Sequence, residues 1–199
     1  MLQSSIQKAF FLDRDGVINY DSGYLTNFDQ VIYLPGIGEF LAALKKLQFK
    51  IFVVTNQSAV ARGMISFEDA IMLNRRILKG VNSLYPGANI DDSEICPFHP
   101  KGIIADFQKD SPMRKPAPGM ILALASRYGI DLPSSYMVGD KESDIIAGKK
   151  AGCRTFLFKG AKLPVDPNEN PLRPDWVVDS FAEILECFKK NNNAPTNQR

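Results

Sequence analysis

Asp13 and Asp15 stand two residues apart at the end of the apolar run AFFLD, residues 9 to 13, with Gly16 next to let the backbone depart sharply. Side chains two apart in an extended segment point the same way. Such a pair can divide labour: one carboxylate attacks, while the other protonates a leaving oxygen and later deprotonates water. Read alone, the string DxDG is equally an ordinary turn. Asp140 and Asp144, in GDKESD at the end of the run YMVGD, add two more carboxylates. Like charges about 4 Å apart repel by roughly 4 kcal/mol at an effective dielectric of about 20, so four acids in one place require a divalent cation. Hard oxygen donors with few protein carboxylates suit Mg²⁺. Asp13, Asp140 and the backbone carbonyl of Asp15 are the expected ligands, with Asp144 supporting. Asp144 also reads as a first-turn helix charge favoured by the macrodipole.

Thr55, Asn56, Gln57 and Ser58 follow the run IFVVT and offer hydroxyl, amide and backbone N–H donors to an oxyanion such as phosphate. They read as well as a helix-capping turn. Lys115, in RKPAPG, precedes Pro116, which should hold the segment extended. It can neutralise a transferring phosphoryl group, and Arg114 beside it can fork onto a second anionic group. An Arg-Lys pair is also a common solvated surface feature.

These residues need a scaffold that brings distant positions together. Short apolar runs at residues 9–13, 51–55, 136–140, 154–158 and 175–178 suggest strands buried on both faces, as in a parallel sheet. Between them GIGEFLAALKKLQ, SFEDAIMLNRRILKGVNSLY, PGMILALASRYG and SDIIAGKKAG carry apolar residues at helical spacing, bounded by Ser66, Pro118, Ser143, Gly129 and Gly152. A last element opens with SFAE, a capping box of Ser180 and Glu183. The order implies an α/β fold, a doubly wound, Rossmann-like parallel sheet with helices on both faces. In such sheets ligands sit beyond the carboxyl ends of the strands, where Asp13, Thr55 and Asp140 fall.

The chain has 199 residues, 45% hydrophobic and 23% charged, and a formal net charge of +2 from 24 basic and 22 acidic residues. This allows one well-buried core, and residues 1–190 read as a single domain followed by a polar, disordered tail at 191–199. No basic stripe marks a nucleic-acid partner, and a small anionic metabolite fits better. No run reaches the roughly 18 apolar residues of a membrane span, and no signal-peptide core is formed. Three separated cysteines, Cys96, Cys153 and Cys187, give no disulfide framework. The expectation is a cytoplasmic monomer with no membrane partner.

Strand-DxDG, strand-Thr, Lys before a helix and strand-GDxxxD, in this order, resemble the haloacid dehalogenase superfamily of phosphohydrolases over nearly residues 9 to 160. FLDRDGVIN, DSGY at Asp21 to Tyr24, VVTNQSAVARG, CPFHP, RKPAPGM and YMVGDKESD are similar to the heptose bisphosphate and histidinol-phosphate phosphatases within it. The resemblance implies an aspartyl-phosphate mechanism, with Asp13 as nucleophile and Mg²⁺ ligand, Asp15 as general acid and base, and Thr55 and Lys115 stabilising the phosphoryl group. It places Asp21, Ser22, Gly23, Tyr24, Asn56, Gln57, Ser58 and Arg114 around the substrate, with no large cap domain. The implied reaction removes the 7-phosphate of a heptose 1,7-bisphosphate for lipopolysaccharide or another heptose glycan, with histidinol phosphate or another small sugar phosphate as the alternative.

Relatives by motif hold a structural zinc through Cys-x-His and Cys-x-Cys. Here Cys96 keeps the first position, but Phe98, Ser111 and Met113 stand at the other three, so no zinc is expected. Phe98, Phe107 and Met113 can hold that loop by apolar contact instead. A phospho-accepting receiver module is the rival from another class, and Asp15 argues against it, since a receiver needs no acid there. Capture of the phosphoryl group by a sugar hydroxyl instead of water also stays open. Gly36 and Gly38 lack the third glycine of a dinucleotide fingerprint.

Overall fold

The computed structural model describes residues 7–159 and 173–192, with side chains described as far as residue 188. Six strands form one parallel sheet: β1 Ala9–Leu12, β2 Lys50–Asn56, β3 Asp92–Cys96, β4 Tyr136–Gly139, β5 Arg154–Phe158 and β6 Trp176–Val178, in spatial order β3-β2-β1-β4-β5-β6. Five of them are the apolar runs of the sequence. The sixth, β3, reads DSEIC and has no apolar run, because it is an edge strand whose first four residues are only half-buried. Charged side chains there discourage pairing with another chain.

Alternation along the strands feeds two cores. Phe10, Leu12, Ile51 and Val53 face one side with Phe40, Leu44, Ile77 and Ile184, whereas Phe11, Phe52, Val54 and Met137 face the other with Met120, Leu124 and Ala147. The first core is covered by α1 Ile37–Lys46, α3 Phe67–Leu84 and α6 Phe181–Asn192, the second by α4 Gly119–Tyr128 and α5 Glu142–Ala151. Aromatic rings tie the strands together on the first side, with Tyr136 stacked on Phe10 at 4.8 Å and Trp176 on Phe156 at 4.6 Å between centroids.

Helix ends follow the sequence signals. Ser66 Oγ accepts from Asp69 N–H at 3.0 Å, and Gly129 and Gly152 close their helices at φ of 63° and 89°, a region that suits glycine. At the last helix Ser180 Oγ accepts from Glu183 N–H, while the Glu183 carboxylate accepts from Asp179 N–H, one residue earlier than the capping box requires. α5 begins at Glu142 with Lys141 as its N-cap, ahead of the expected Ser143. The turn at Thr55 to Ser58 does open a helix, the four-residue α2 Ser58–Ala61, with Gln57 at its N-cap but no side-chain cap bond. Asn191 and Asn192 continue α6, and residues 193–199 of the expected tail lie outside the described residues. No helix among the described residues is long and apolar enough to cross a membrane.

The chain winds outward from β1 to β3, then crosses back to β4 on the other side of β1. The crevice at that switch opens at the carboxyl ends of β1, β2 and β4.

Candidate active site

Asp13 follows β1 directly and is fixed there, its N–H donating to the Val138 carbonyl of β4 at 2.9 Å. Lys115 Nζ lies 2.8 Å from Asp13 Oδ1 and 2.7 Å from Asp144 Oδ1, and donates to the Val54 carbonyl of β2 at 2.7 Å. One ammonium thus joins the end of β1, β2 and the first turn of α5, and its side chain is 2% exposed. Burial works against the Lys115 charge, but Asp13 and Asp144 outweigh it and raise its pKa. Burial pushes the Asp13 carboxyl up to about 7 against the pull of Lys115, with Asp144 and Asp15 adding repulsion.

Asp140 follows β4, and burial lifts its carboxyl to about 6, opposed by Lys141 and reinforced by Asp144. Its Oδ1 is buried without a hydrogen-bond partner. Asp13, Asp140 and Asp144 offer carboxylate oxygens within 4.8 Å of one another. An unsatisfied oxygen among three converging acids is the environment that a small, hard dication fits. Gly16, at φ 93°, is needed beside them, since a Cβ there would stand 2.3 Å from Asp140 Oδ2. Asp144 is in the first turn of α5, where Oδ2 accepts from Lys141 N–H, while Oδ1 faces Lys115.

Asp15 accepts from Arg14 Nε at 3.0 Å, Arg14 Nη2 at 2.8 Å, Asn19 Nδ2 at 2.9 Å and Gln57 Nε2 at 3.1 Å. Burial would raise its pKa, but the Arg14 charge and these bonds prevail and hold it below the usual carboxylate value. Gln57 also donates to Thr55 Oγ1 at 2.8 Å, so one amide links the ends of β1 and β2.

A cleft of about 430 Å³ lies above this floor, lined among others by Asp15, Tyr24, Gln57, Arg114, Lys115 and Lys141. Asp21, Gly23, Asn56 and Ser58 line it too, whereas Asp13, Thr55, Asp140 and Asp144 are buried at its base. Ser22 is exposed and does not line the cleft. Asn56 turns both ends of its amide to the Lys115 backbone, accepting from its N–H at 3.1 Å and donating to its carbonyl at 3.0 Å. Arg114 Nη1 is tethered to Ser58 Oγ at 3.0 Å and to the Phe98 carbonyl at 2.9 Å. The segment expected to be extended is instead a turn, closed by Ala117 N–H on the Arg114 carbonyl at 2.8 Å, with the Lys115–Pro116 bond cis.

Sequence reasoning missed Arg14, Asn19 and Lys141. An arginine inside a buried FFLDRDG string was a signal for Arg14, since such a charge needs a partner. Lys141 adjoins Asp140 and bridges to Asp21 at 2.8 Å across the mouth of the cleft. The loop after β3 is held by rings: Phe107 lies 6.0 Å from Phe98 and 5.7 Å from Phe67. Cys96 is buried with its thiol pKa raised by that burial, and His99 Nδ1 accepts from Lys101 N–H.

A family model described as HAD-hydrolase-like matches residues 112–184. The chain is 41% identical over 157 residues to the D-glycero-beta-D-manno-heptose-1,7-bisphosphate 7-phosphatase of Rhodopseudomonas palustris, covering 79% of this chain and 86% of that one. It is 46% identical over 151 residues to the D-glycero-alpha-D-manno-heptose-1,7-bisphosphate 7-phosphatase of Burkholderia mallei, covering 76% and 79%. The D,D-heptose 1,7-bisphosphate phosphatase from B. bronchiseptica, solved with magnesium and phosphate, aligns with a TM-score of 0.74 at 28% identity over 93% of this chain and 99% of that one. With this similarity over most of its length, the chain belongs to the heptose-1,7-bisphosphate 7-phosphatase family of HAD-like hydrolases.

Proposed function

We propose that this protein hydrolyses the 7-phosphate of a D-glycero-D-manno-heptose 1,7-bisphosphate, with Asp13 as the attacking group. The observation that carries the reading is the division of cations: Lys115 is fixed beside Asp13 and Asp144, where its charge meets the reacting phosphoryl group, while Arg114 and Lys141 line the cleft away from that pair. One cation therefore serves the reacting phosphoryl group, and the remaining donors of the Arg114 fork can meet a second phosphate.

Asp13, Asp140 and the backbone carbonyl of Asp15 would hold Mg²⁺, with Asp144 supporting. When bound, the ion neutralises the phosphate charge that these acids would otherwise repel. The Asp13 carboxylate attacks phosphorus, the bond to the sugar oxygen breaks, and that oxygen takes a proton from Asp15. Asp15 then removes a proton from water, which attacks the aspartyl-phosphate and returns Asp13 with inorganic phosphate. The Lys115 charge, held beside Asp13, and the Thr55 hydroxyl stabilise the phosphoryl oxygens during both steps. Asp15 enters the cycle readily as the base, because its partners favour the ionised form. As the acid, it must first gain a proton, which the negative charge of a bound phosphate favours.

The loop after β3 carries no zinc in this reading. Cys96 stands with Phe98, Ser111 and Met113 where a tetrahedral site needs four donors, and the rings of Phe67, Phe98 and Phe107 supply the anchorage. Metal analysis of protein purified without chelator should find less than stoichiometric zinc; a full equivalent bound at Cys96 would contradict this. Free Cys96, Cys153 and Cys187 accord with a cytoplasmic location.

The test is a comparison of kcat/KM for both anomers of the heptose bisphosphate, fructose 1,6-bisphosphate and histidinol phosphate. A heptose bisphosphate anomer should lead. Preference for histidinol phosphate would overturn the substrate.

A further inference from the structure

Among the described residues Arg14 is the largest fully buried side chain, at 0% exposure, and it sits between Asp13 and Asp15. Burying a guanidinium is costly unless it is paired and fully hydrogen-bonded. Arg14 meets that condition by setting Nε on Asp15 Oδ1 and Nη2 on Asp15 Oδ2, one donor to each oxygen. A two-point fork fixes the plane of a carboxylate, which a single charge cannot do. Behind it, Nη1 faces Asn74 Oδ1 of α3 at 3.5 Å, and Asn74 Nδ2 donates to Ser93 Oγ of β3 at 3.0 Å. Asn74 is itself buried at 1% exposure. A polar chain thus runs from the cleft through the first core to the edge strand.

Asp15 has four N–H donors around its two oxygens, which uses the lone-pair directions a carboxylate offers. For a proton to pass, one donor has to yield. Arg14 cannot, since leaving would strand a buried charge. Gln57 can: its bond is the longest of the four, at 3.1 Å, and it lines the cleft.

We propose that Arg14 is a positioning residue that clamps Asp15 from behind, holding its Oδ2 toward the cleft so that the proton reaches the leaving oxygen when Gln57 gives way. The inference rests on the reading of Asp15 as proton donor, and the experiment separates the two. It compares kcat/KM, which reports phosphoryl transfer to Asp13, for the heptose bisphosphate and for p-nitrophenyl phosphate. The first has an alkoxide leaving group that needs a proton; nitrophenolate leaves without one. Arg14→Lys keeps the charge and loses the fork. It should lower kcat/KM for the sugar ester by about 10²-fold, within the span of general acid catalysis, and for the aryl ester by less than about tenfold. Asp15→Asn should show the same selectivity, at least as strongly. Asn74→Leu, a milder change to the support, should shift the ratio the same way by a few-fold and carries the comparison if Arg14→Lys does not fold. Equal losses on both esters in the Arg14 or Asn74 variants, with Asp15→Asn still selective, overturn the clamp alone. A non-selective Asp15→Asn, or a wild-type protein that hydrolyses neither ester, overturns the reading beneath it.

Discussion

On the floor of the cleft, Asp13, Lys115 and Asp144 are 7%, 2% and 1% exposed at their side chains and meet at 2.7 to 2.8 Å; at the rim, Arg114 is half-buried and hangs from Ser58 and the Phe98 carbonyl. The floor is a set of charges that cannot be left unpaired, held by the end of β1, the turn at Lys115 and the first turn of α5. The rim is a loop kept in place by three rings about 6 Å apart and a few backbone bonds. One consequence is energetic: removing a floor residue strands a buried charge, whereas trimming a rim residue only loosens a contact. The other is functional. In the proposed mechanism the reaction falls to the part that tolerates no rearrangement, and substrate choice to the part that can be rebuilt with different residues.

Lys115→Met tests the floor most severely. It leaves two buried acids, Asp13 and Asp144, without their cation, so metal-free protein should lose about 3 to 5 kcal/mol in urea unfolding. Mg²⁺ should recover part of that loss. A variant as stable as the parent without metal would break the comparison, since the floor would then be no more constrained than the rim.

The response to pH sharpens it. Asp13 and Asp140 titrate near 7 and 6 in the folded protein, against an ordinary value of 3.8. Folding therefore retains protons that the unfolded chain has already released, and metal-free stability falls as pH rises from about 4 toward 7. The cation needs the ionised carboxylates, so the rise in Tm caused by Mg²⁺ should be full above about 7 and shrink as pH falls through about 6. A Mg²⁺ effect independent of pH across this range would exclude these acids as its ligands.

Phe107→Ala addresses the rim and should have the smallest effect. It removes two ring contacts worth about 0.5 to 1.5 kcal/mol each. The KM for a bisphosphate should rise several-fold as Arg114 loses its fixed position, with kcat nearly unchanged. A fall in kcat with constant KM would place the loop in the chemistry.

Much of the floor was legible because its residues lie immediately after apolar strands, where type and position agree. Asp13, Thr55 and Asp140 fall at the carboxyl ends of β1, β2 and β4, as the alternation of runs and helices implied. β3 was not legible, since DSEIC is half-exposed and carries no apolar run. Arg14 was passed over because its partners, Asp15 beside it and Asn74 60 residues away, come together only through the packing of α3 on the sheet. Asn56 looked like a free donor, yet both ends of its amide are spent on the Lys115 backbone, a pairing 59 residues apart that no local pattern announces. Hydrogen bonds between distant segments decide which polar residues remain available, and these are the facts least visible in a linear chain.

In the proposed mechanism Asp13 carries the phosphoryl group between substrate and water. A rapid acid quench of a single turnover with heptose bisphosphate labelled in its 7-phosphate tests it directly. Label should be transiently bound to protein, located at Asp13 by peptide mass analysis, discharged by hydroxylamine and absent from Asp13→Asn, which should also release no phosphate. Phosphate release at the parental rate from Asp13→Asn, or labelled protein with the label on another residue, would contradict it.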